Sequence, residues 1–289
     1  MKKLFTTNEG VITSRQNSLI LYACKLADKK YRQKEKKLRL DGIKLFVEAL
    51  NSDVDIETVF VMESATEKVY SRIGDFLTDA TANKIDFKIV TDGVFEKISE
   101  EKSPEGIICI AKHIDNLHKI ITINNMEQIL SPLLGGDESF FAIESVRDPG
   151  NLGTIIRSSV AFGVDCLLIS SDCAEIYNPK TIRAAMGTLF KQKILIVDDF
   201  VSAIKMFKRF GRRVFAAALA DDAELLGKCE LTKRDCIIVG NEGHGLSSEV
   251  IESADKKVLI PMTQNAESLN AAIASSVIMW EQFGRNSNS

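Results

Sequence analysis

The chain has 289 residues, 45% of them hydrophobic and 27% charged, with a formal net charge of −3. This is ordinary globular composition, and the length suggests two domains. It excludes a membrane-spanning segment, because no apolar run reaches the roughly 18 residues a span needs.

The first residues, MKKLFTTNEGV, carry charge but no apolar stretch long enough for a signal peptide, so a cytoplasmic protein is expected. Six cysteines are present, none in a CxxC pair, and the three histidines do not cluster with them. No metal site is expected, and the thiols are read as reduced. Cys109, Cys166 and Cys236 lie in apolar runs, where inert buried thiols are usual.

Residues 13–50 carry helical spacing, with Leu19, Tyr22, Ala23 and Leu26 on one face and a candidate cap at Asn17 or Ser18. Lys25–Lys44 holds nine basic and three acidic residues, a local +6 that leaves the rest of the chain at −9. A basic arm for nucleic acid and a solvated lysine-rich helix face both fit this run. Strands at 58–62, 87–90 and 107–111 alternate with helices at 66–80 and 94–98, which predicts a small α/β domain over 1–112. Residues 113–137, broken by Pro132, Gly135 and Gly136, read as an interdomain connection.

From 138 to 289 the alternation strengthens. Strands are expected at 140–146, 166–169, 194–197, 214–219, 237–239 and 258–260. Helices are expected at 151–162, 179–190, 200–210 and from about 247 and 268. Repeated strand–helix–strand units predict a mainly parallel sheet with helices on both faces.

Three segments carry candidate chemistry. Asp148-Pro149-Gly150-Asn151-Leu152-Gly153 turns into a helix on which Arg157 follows. A helix start attracts anions, and an arginine fork reaches phosphate; a tight turn with a surface salt bridge is the plainer alternative. Gly240-Asn241-Glu242-Gly243-His244-Gly245 follows a strand, and its glycines let backbone approach a ligand. It is not GxGxxG and comes late in the chain, which disfavours a dinucleotide fingerprint. His244, between glycines, is more simply an exposed loop residue than a base. Ser268, Leu269 and Asn270 open a small-residue helix whose polar residues stand at its mouth.

Together these segments resemble the SpoU (TrmH) family of RNA ribose 2′-O-methyltransferases in the SPOUT superfamily. DPGNLG with Arg157 is similar to its first motif, IVGNEGHGLS through VLIPM to its second, and ESLNAAIA to its third. Tyr177-Asn178-Pro179 with Arg183–Gly187 resembles the segment between them. The match covers about 140–284; residues 14–112 more loosely resemble the family's ribosomal-protein-like RNA-binding domain. The resemblance implies a SPOUT-type parallel-sheet α/β domain with a C-terminal trefoil knot, S-adenosylmethionine as cofactor and a homodimer. It implies that Gly240, Ile260 and Leu269 hold the cofactor. Asn151, Arg157, Glu242, Ser268 and Asn270 would form the catalytic set. Arg157 is open between general base and phosphate anchor.

The expected function is methylation of a ribose 2′-hydroxyl in structured RNA, ribosomal rather than transfer RNA, with no membrane or metal partner. A tRNA substrate, or an inactive ribosome-binding assembly factor, is the alternative. Lys29, Lys30, Arg32, Lys34, Lys36 and Lys37 are the candidate RNA contacts. The last helix is apolar or small nearly all round, which points to a dimer interface.

Overall fold

The computed structural model describes residues 10–78, 83–241, 243–263, 265 and 268–284. The chain divides into two units. The first runs to Ile114 and includes Tyr177–Phe190; the second comprises Asp115–Ile176 and Lys191 onward.

The first unit holds a four-stranded sheet of β1 (Lys37–Asp41), β2 (Ile56–Met62), β3 (Asp86–Val90) and β4 (Ile107–Lys112), in the order β1-β4-β2-β3. β4 is antiparallel to both neighbours and β2 is parallel to β3. Helices α1 (Ser18–Lys25), α2 (Lys29–Glu35), α3 (Ile43–Asn51), α4 (Thr66–Ile73) and α5 (Asp92–Ile98) accompany it. Ile20, Ala23 and Leu26 of α1 and its C-cap pack with Phe60, Phe95, Ile98, Ile108 and Ile110 in one apolar core.

The helical reading of 13–50 is corrected by β1. Asp28 caps α2, accepting from the amides of Lys30 (2.7 Å) and Tyr31 (3.2 Å). The helix stops at Lys36, whose φ of 50° is left-handed. Beyond it Leu38, Arg39 and Leu40 are all buried, and this burial in the sheet outweighs the helix preference of a lysine-rich run.

The second unit holds eight strands: β5 (His118–Ile121), β6 (Phe140–Ile143), β7 (Cys166–Ser170), β8 (Lys193–Val197), β9 (Val214–Ala217), β10 (Glu224–Leu225), β11 (Cys236–Val239) and β12 (Lys256–Leu259). Their order is β10-β12-β9-β11-β6-β7-β8-β5, and every pairing is parallel. On one face α6 (Met126–Gly135), α9 (Phe200–Arg209) and α10 (Ser248–Ser253) join one apolar core with alternate strand residues such as Phe140, Leu168, Leu195 and Ile238. α7 (Pro149–Phe162) and α11 (Ala271–Met279) pack on each other, and α11 against β11. Burial on both faces explains why these strands are apolar without alternation; all of β7 is buried.

Two boundaries differ from the sequence reading. Residues 113–137 are not a connection: β5 pairs with β8 along His118–Ile121, and α6 buries Met126, Leu130 and Leu134. Pro132 sits inside that helix, so it did not break the chain as expected. The segment 177–187, read as part of the second domain, belongs to the first unit. There Tyr177 stacks on His113 at 4.1 Å and accepts the Ile114 amide, and α8 (Pro179–Ala185) places Arg183 2.7 Å from Glu101. Among the described residues no helix is long and apolar enough to cross a membrane.

Candidate active site

β11 lies between β6 and β9, so its carboxyl end opens at a reversal of strand order, where ligands of open α/β sheets collect. Gly240 follows β11 directly and Ile260 follows β12. Both line a cavity of 480 Å³, together with Leu269, Ser268, Val239, Val258 and Ile278. The three residues expected to hold the cofactor are therefore brought together. Most lining residues are apolar, and Asn241, His244 and Ser268 add polar side chains.

The loop after Gly240 closes on itself. Asn241 and Gly245 exchange backbone hydrogen bonds of 3.0 and 2.9 Å, and the Asn241 Oδ1 accepts from the Gly243 amide at 2.7 Å. A Cβ at Gly240 would stand 2.4 Å from the Gly245 carbonyl carbon and oxygen. Glycine is thus required by the loop's own backbone. His244 lines the cavity but is exposed.

Of the remaining candidates, Asn151 and Asn270 meet at two helix starts. Asp148 caps α7 by accepting the Asn151 amide at 2.7 Å, and Pro149 occupies the first turn. Asn270 caps α11 by accepting from the amides of Ala272 (2.9 Å) and Ile273 (3.3 Å). The Asn270 Nδ2 donates to the Asn151 Oδ1 at 3.0 Å, tying the two helix starts together. Ser158 and Ser276 repeat the link further along, at 2.7 Å. Arg157 is exposed on α7 and has no ion pair among the described residues. Glu242 lies outside the described residues.

Several polar residues that frame this site were not singled out from the sequence. Ser145, just past β6, has a φ of 55°. Its Oγ donates to the Asp172 Oδ2 at 2.5 Å, and its carbonyl accepts from the Asn241 Nδ2 at 2.8 Å. Glu144 accepts both the amide (2.8 Å) and the hydroxyl (2.6 Å) of Ser247. Asp172 also accepts from Ser170 and Arg147. Burial pushes its carboxyl up, but the bonds donated by Ser145, Ser170 and Arg147 outweigh burial and hold it below the usual carboxylate range. No spacing rule marks these residues, because they meet only across neighbouring strands.

Two other features bear on chemistry. Burial pushes the Cys173 thiol up to about 11 and raises those of Cys109, Cys166 and Cys236, so none of these four is a ready nucleophile. Among the described residues no group of three or more His, Cys, Asp or Glu could hold a metal ion.

The basic segment divides. Lys29, Lys30, Lys34 and Lys36 are exposed. Arg32 is not an RNA contact: it is 2% exposed, and its guanidinium donates to the carbonyls of Leu26 and Ala27, both at 2.7 Å. Lys37 is half-buried at the start of β1 and pairs with Glu57 at 2.5 Å. Arg32 is drawn inward by the carbonyls that follow α1, and Lys37 by the carboxylate of Glu57 on β2.

Residues 138–280 match the SpoU rRNA Methylase family, and residues 17–109 match the MRM3-like substrate binding domain. The chain belongs to the SpoU methylase family. Its relatives include the 23S rRNA (guanosine(2553)-2′-O)-methyltransferase RlmP of Bacillus subtilis, 27% identical and covering 94% of this chain and 99% of that protein. Mitochondrial rRNA methyltransferase 3 of Mus musculus is 25% identical over 87% of this chain and 68% of its own length. The AdoMet-bound rRNA methyltransferase from Sinorhizobium meliloti superposes with a TM-score of 0.75 at 24% identity, covering 96% of this chain and 98% of that one. The α/β fold with its parallel sheet is that of the SPOUT methyltransferases.

Proposed function

We infer that this chain transfers a methyl group from S-adenosylmethionine to a ribose 2′-hydroxyl of ribosomal RNA. The observation that carries this is a cavity lined by Leu269 and Ala271, between which Asn270 stands bonded to Asn151, in a SpoU-family chain matching an rRNA 2′-O-methyltransferase along nearly its whole length.

The cavity suits S-adenosylmethionine. Its 480 Å³ lies within the range of small-molecule sites, about 300–1,000 Å³. The apolar lining residues fit the adenine and the carbons attached to the sulfonium, and backbone at Gly240, Ile260 and Leu269 can read the polar edges. When bound, the cofactor supplies a methyl group on a sulfonium whose departure leaves a neutral thioether, so no general acid is needed. The protein must align the hydroxyl oxygen with that methyl and manage one proton. Asn151, Ser268 and Asn270 are assigned to orienting the ribose, and Glu242 joins them by its motif position. Arginine stays protonated in proteins, so Arg157 is assigned to anchoring the adjoining phosphate and stabilising charge rather than to general-base work.

Lys29, Lys30, Lys34 and Lys36 are the assigned phosphate contacts of the first unit. A homodimer is also proposed. α11 leaves Ile273, Val277 and Trp280 exposed at 53%, 37% and 48%, one stripe at helical spacing that a two-fold contact would cover. A threaded C-terminal segment and a cytoplasmic location complete the reading. Calorimetry with S-adenosylmethionine and mapping of 2′-O-methyl sites in rRNA and tRNA, with and without the gene, test it. A rRNA position that loses its methyl group is expected; loss confined to tRNA would reassign the substrate.

A further inference from the structure

The loop that walls the cavity is held from outside by the end of one neighbouring strand. We propose that Glu144 is a positioning residue that fixes the Gly240–Ser247 loop in its cofactor-accepting shape. This rests on the S-adenosylmethionine reading above, and Glu144 itself is not among the residues that line the cavity.

The geometry is two-point. The Glu144 Oε2 accepts the Ser247 amide at 2.8 Å and its Oε1 accepts the Ser247 hydroxyl at 2.6 Å. Ser247 also caps α10, its Oγ accepting from the Val250 amide. Its hydroxyl thus donates to the carboxylate and accepts from the helix, so Glu144 fixes the rotamer of that cap. The far end of the loop is pinned one residue along, where the Asn241 Nδ2 donates to the Ser145 carbonyl at 2.8 Å. Both anchors depend on the left-handed turn at Ser145, which Ser170 and Asp172 hold from the β7 side. The Ser170 Oγ accepts the Ser145 amide at 2.8 Å, and Asp172 accepts the Ser145 hydroxyl. A non-glycine residue in this conformation is uncommon and needs such support. The same turn leads through Val146 to Asp148 and the Asn151 helix start. One strand end therefore sets the loop that walls the cavity and the helix start that carries the candidate acceptor-side amide.

A carboxylate accepts from both Ser247 groups and carries the charge that strengthens both bonds. Glutamine keeps the shape but removes the charge and one acceptor, so the Ser247 hydroxyl must turn from donor to acceptor, which releases the cap rotamer. Charge-assisted bonds to the loop are lost, while β6 keeps its ladder with β7 and β11.

The test compares wild type with Glu144→Gln, Glu144→Ala and Ser247→Ala. S-adenosylmethionine binding is measured by calorimetry, and loop amides by hydrogen exchange on the ligand-free protein. Glu144→Gln is expected to weaken S-adenosylmethionine about tenfold and to speed exchange at Gly243, His244 and Gly245. Adding Ser247→Ala should then cost little more, since both changes break one clamp. Steady-state kinetics should show KM for S-adenosylmethionine rising more than kcat falls. Unchanged loop exchange in Glu144→Gln would overturn the proposal, as would unchanged affinity beside a wild type that binds. A fall in melting temperature with neither change would make Glu144 a purely structural residue and overturn it as well. A wild type that fails to bind S-adenosylmethionine overturns the proposed function instead, and the exchange measurement still decides whether Glu144 holds the loop.

Discussion

The cavity of the second unit is walled largely by apolar residues at the ends of β9, β11 and β12, whereas the first unit carries a set of exposed lysines on and just after α2, proposed as its RNA contacts. In the first arrangement single atoms decide: the place of one methyl group at Gly240 is already taken by Gly245. In the second, the lysine side chains are exposed, and the contribution proposed for them is charge. Recognition built from backbone is all-or-none and insensitive to salt; recognition built from lysines is graded and salt-dependent. Arg32 marks the border. It is as basic as its neighbours in sequence, yet it serves the fold.

This contrast can be broken at five points, taken from the largest expected effect. Gly240→Val should cost about 3 kcal/mol or more of stability and abolish S-adenosylmethionine binding, because its side chain must displace the Gly245 backbone. Thermal melting and calorimetry read both; a well-folded variant with native affinity would refute the described loop geometry. Arg157→Ala should lower kcat by roughly 10²–10³ while the fold and cofactor affinity hold, since the residue is exposed and the role proposed for it is on bound RNA. Arg157→Lys should recover little, because a point charge lacks the fork.

Neutralising Lys29, Lys30, Lys34 and Lys36 together should weaken RNA binding roughly 10²-fold. It should also reduce the slope of log affinity against log salt by up to about 3, with melting unchanged. An unaltered slope would return these lysines to the status of solvated side chains. Arg32→Ala should do the opposite, losing about 2 kcal/mol of stability by leaving the Leu26 and Ala27 carbonyls without their donor, with the salt slope intact.

The smallest effect is at Asp172. Its carboxyl is held below the usual range, so the folded state binds its proton less readily than the unfolded chain. Its contribution is present above the ordinary carboxylate pKa and is lost as pH falls through the lower folded value. Asp172→Asn should cost about 1 kcal/mol at neutral pH, after discount for solvent screening, and the gap to wild type should close in acid. A gap that persists unchanged at low pH would remove the charge from the explanation.

Much of this molecule was legible as pattern. Six of the eight strands of the second unit announced themselves as apolar runs, and Asp148-Pro149, Asn178-Pro179 and Ser247 marked helix starts that the structure keeps. The three motif segments were legible because glycine, proline and asparagine at strand ends are restricted by local backbone chemistry. What local pattern missed had a common cause. β1 was hidden in a helix-favouring lysine run, β5 and α6 were taken for a connection, and 177–187 was assigned to the wrong unit. In each case the deciding contacts lie far away in the chain: Leu38 beside Ala111, Ile121 beside Val197, Tyr177 against His113.

By itself, then, the sequence determined where backbone must turn, which runs must be buried, and which residue types stand ready at strand ends. Those properties are local and follow from sterics, periodicity and the need to satisfy helix-terminal amides. Only the tertiary structure decided that β11 enters between β6 and β9, that Asn270 meets Asn151 across 119 residues of chain, and that Glu144 clamps Ser247. It also decided that Arg32 is buried while Lys30 is not. Strand order, cross-strand hydrogen bonds and the direction of a basic side chain depend on which distant surfaces pack together, and burial of those surfaces against one another is what selects among locally equivalent choices.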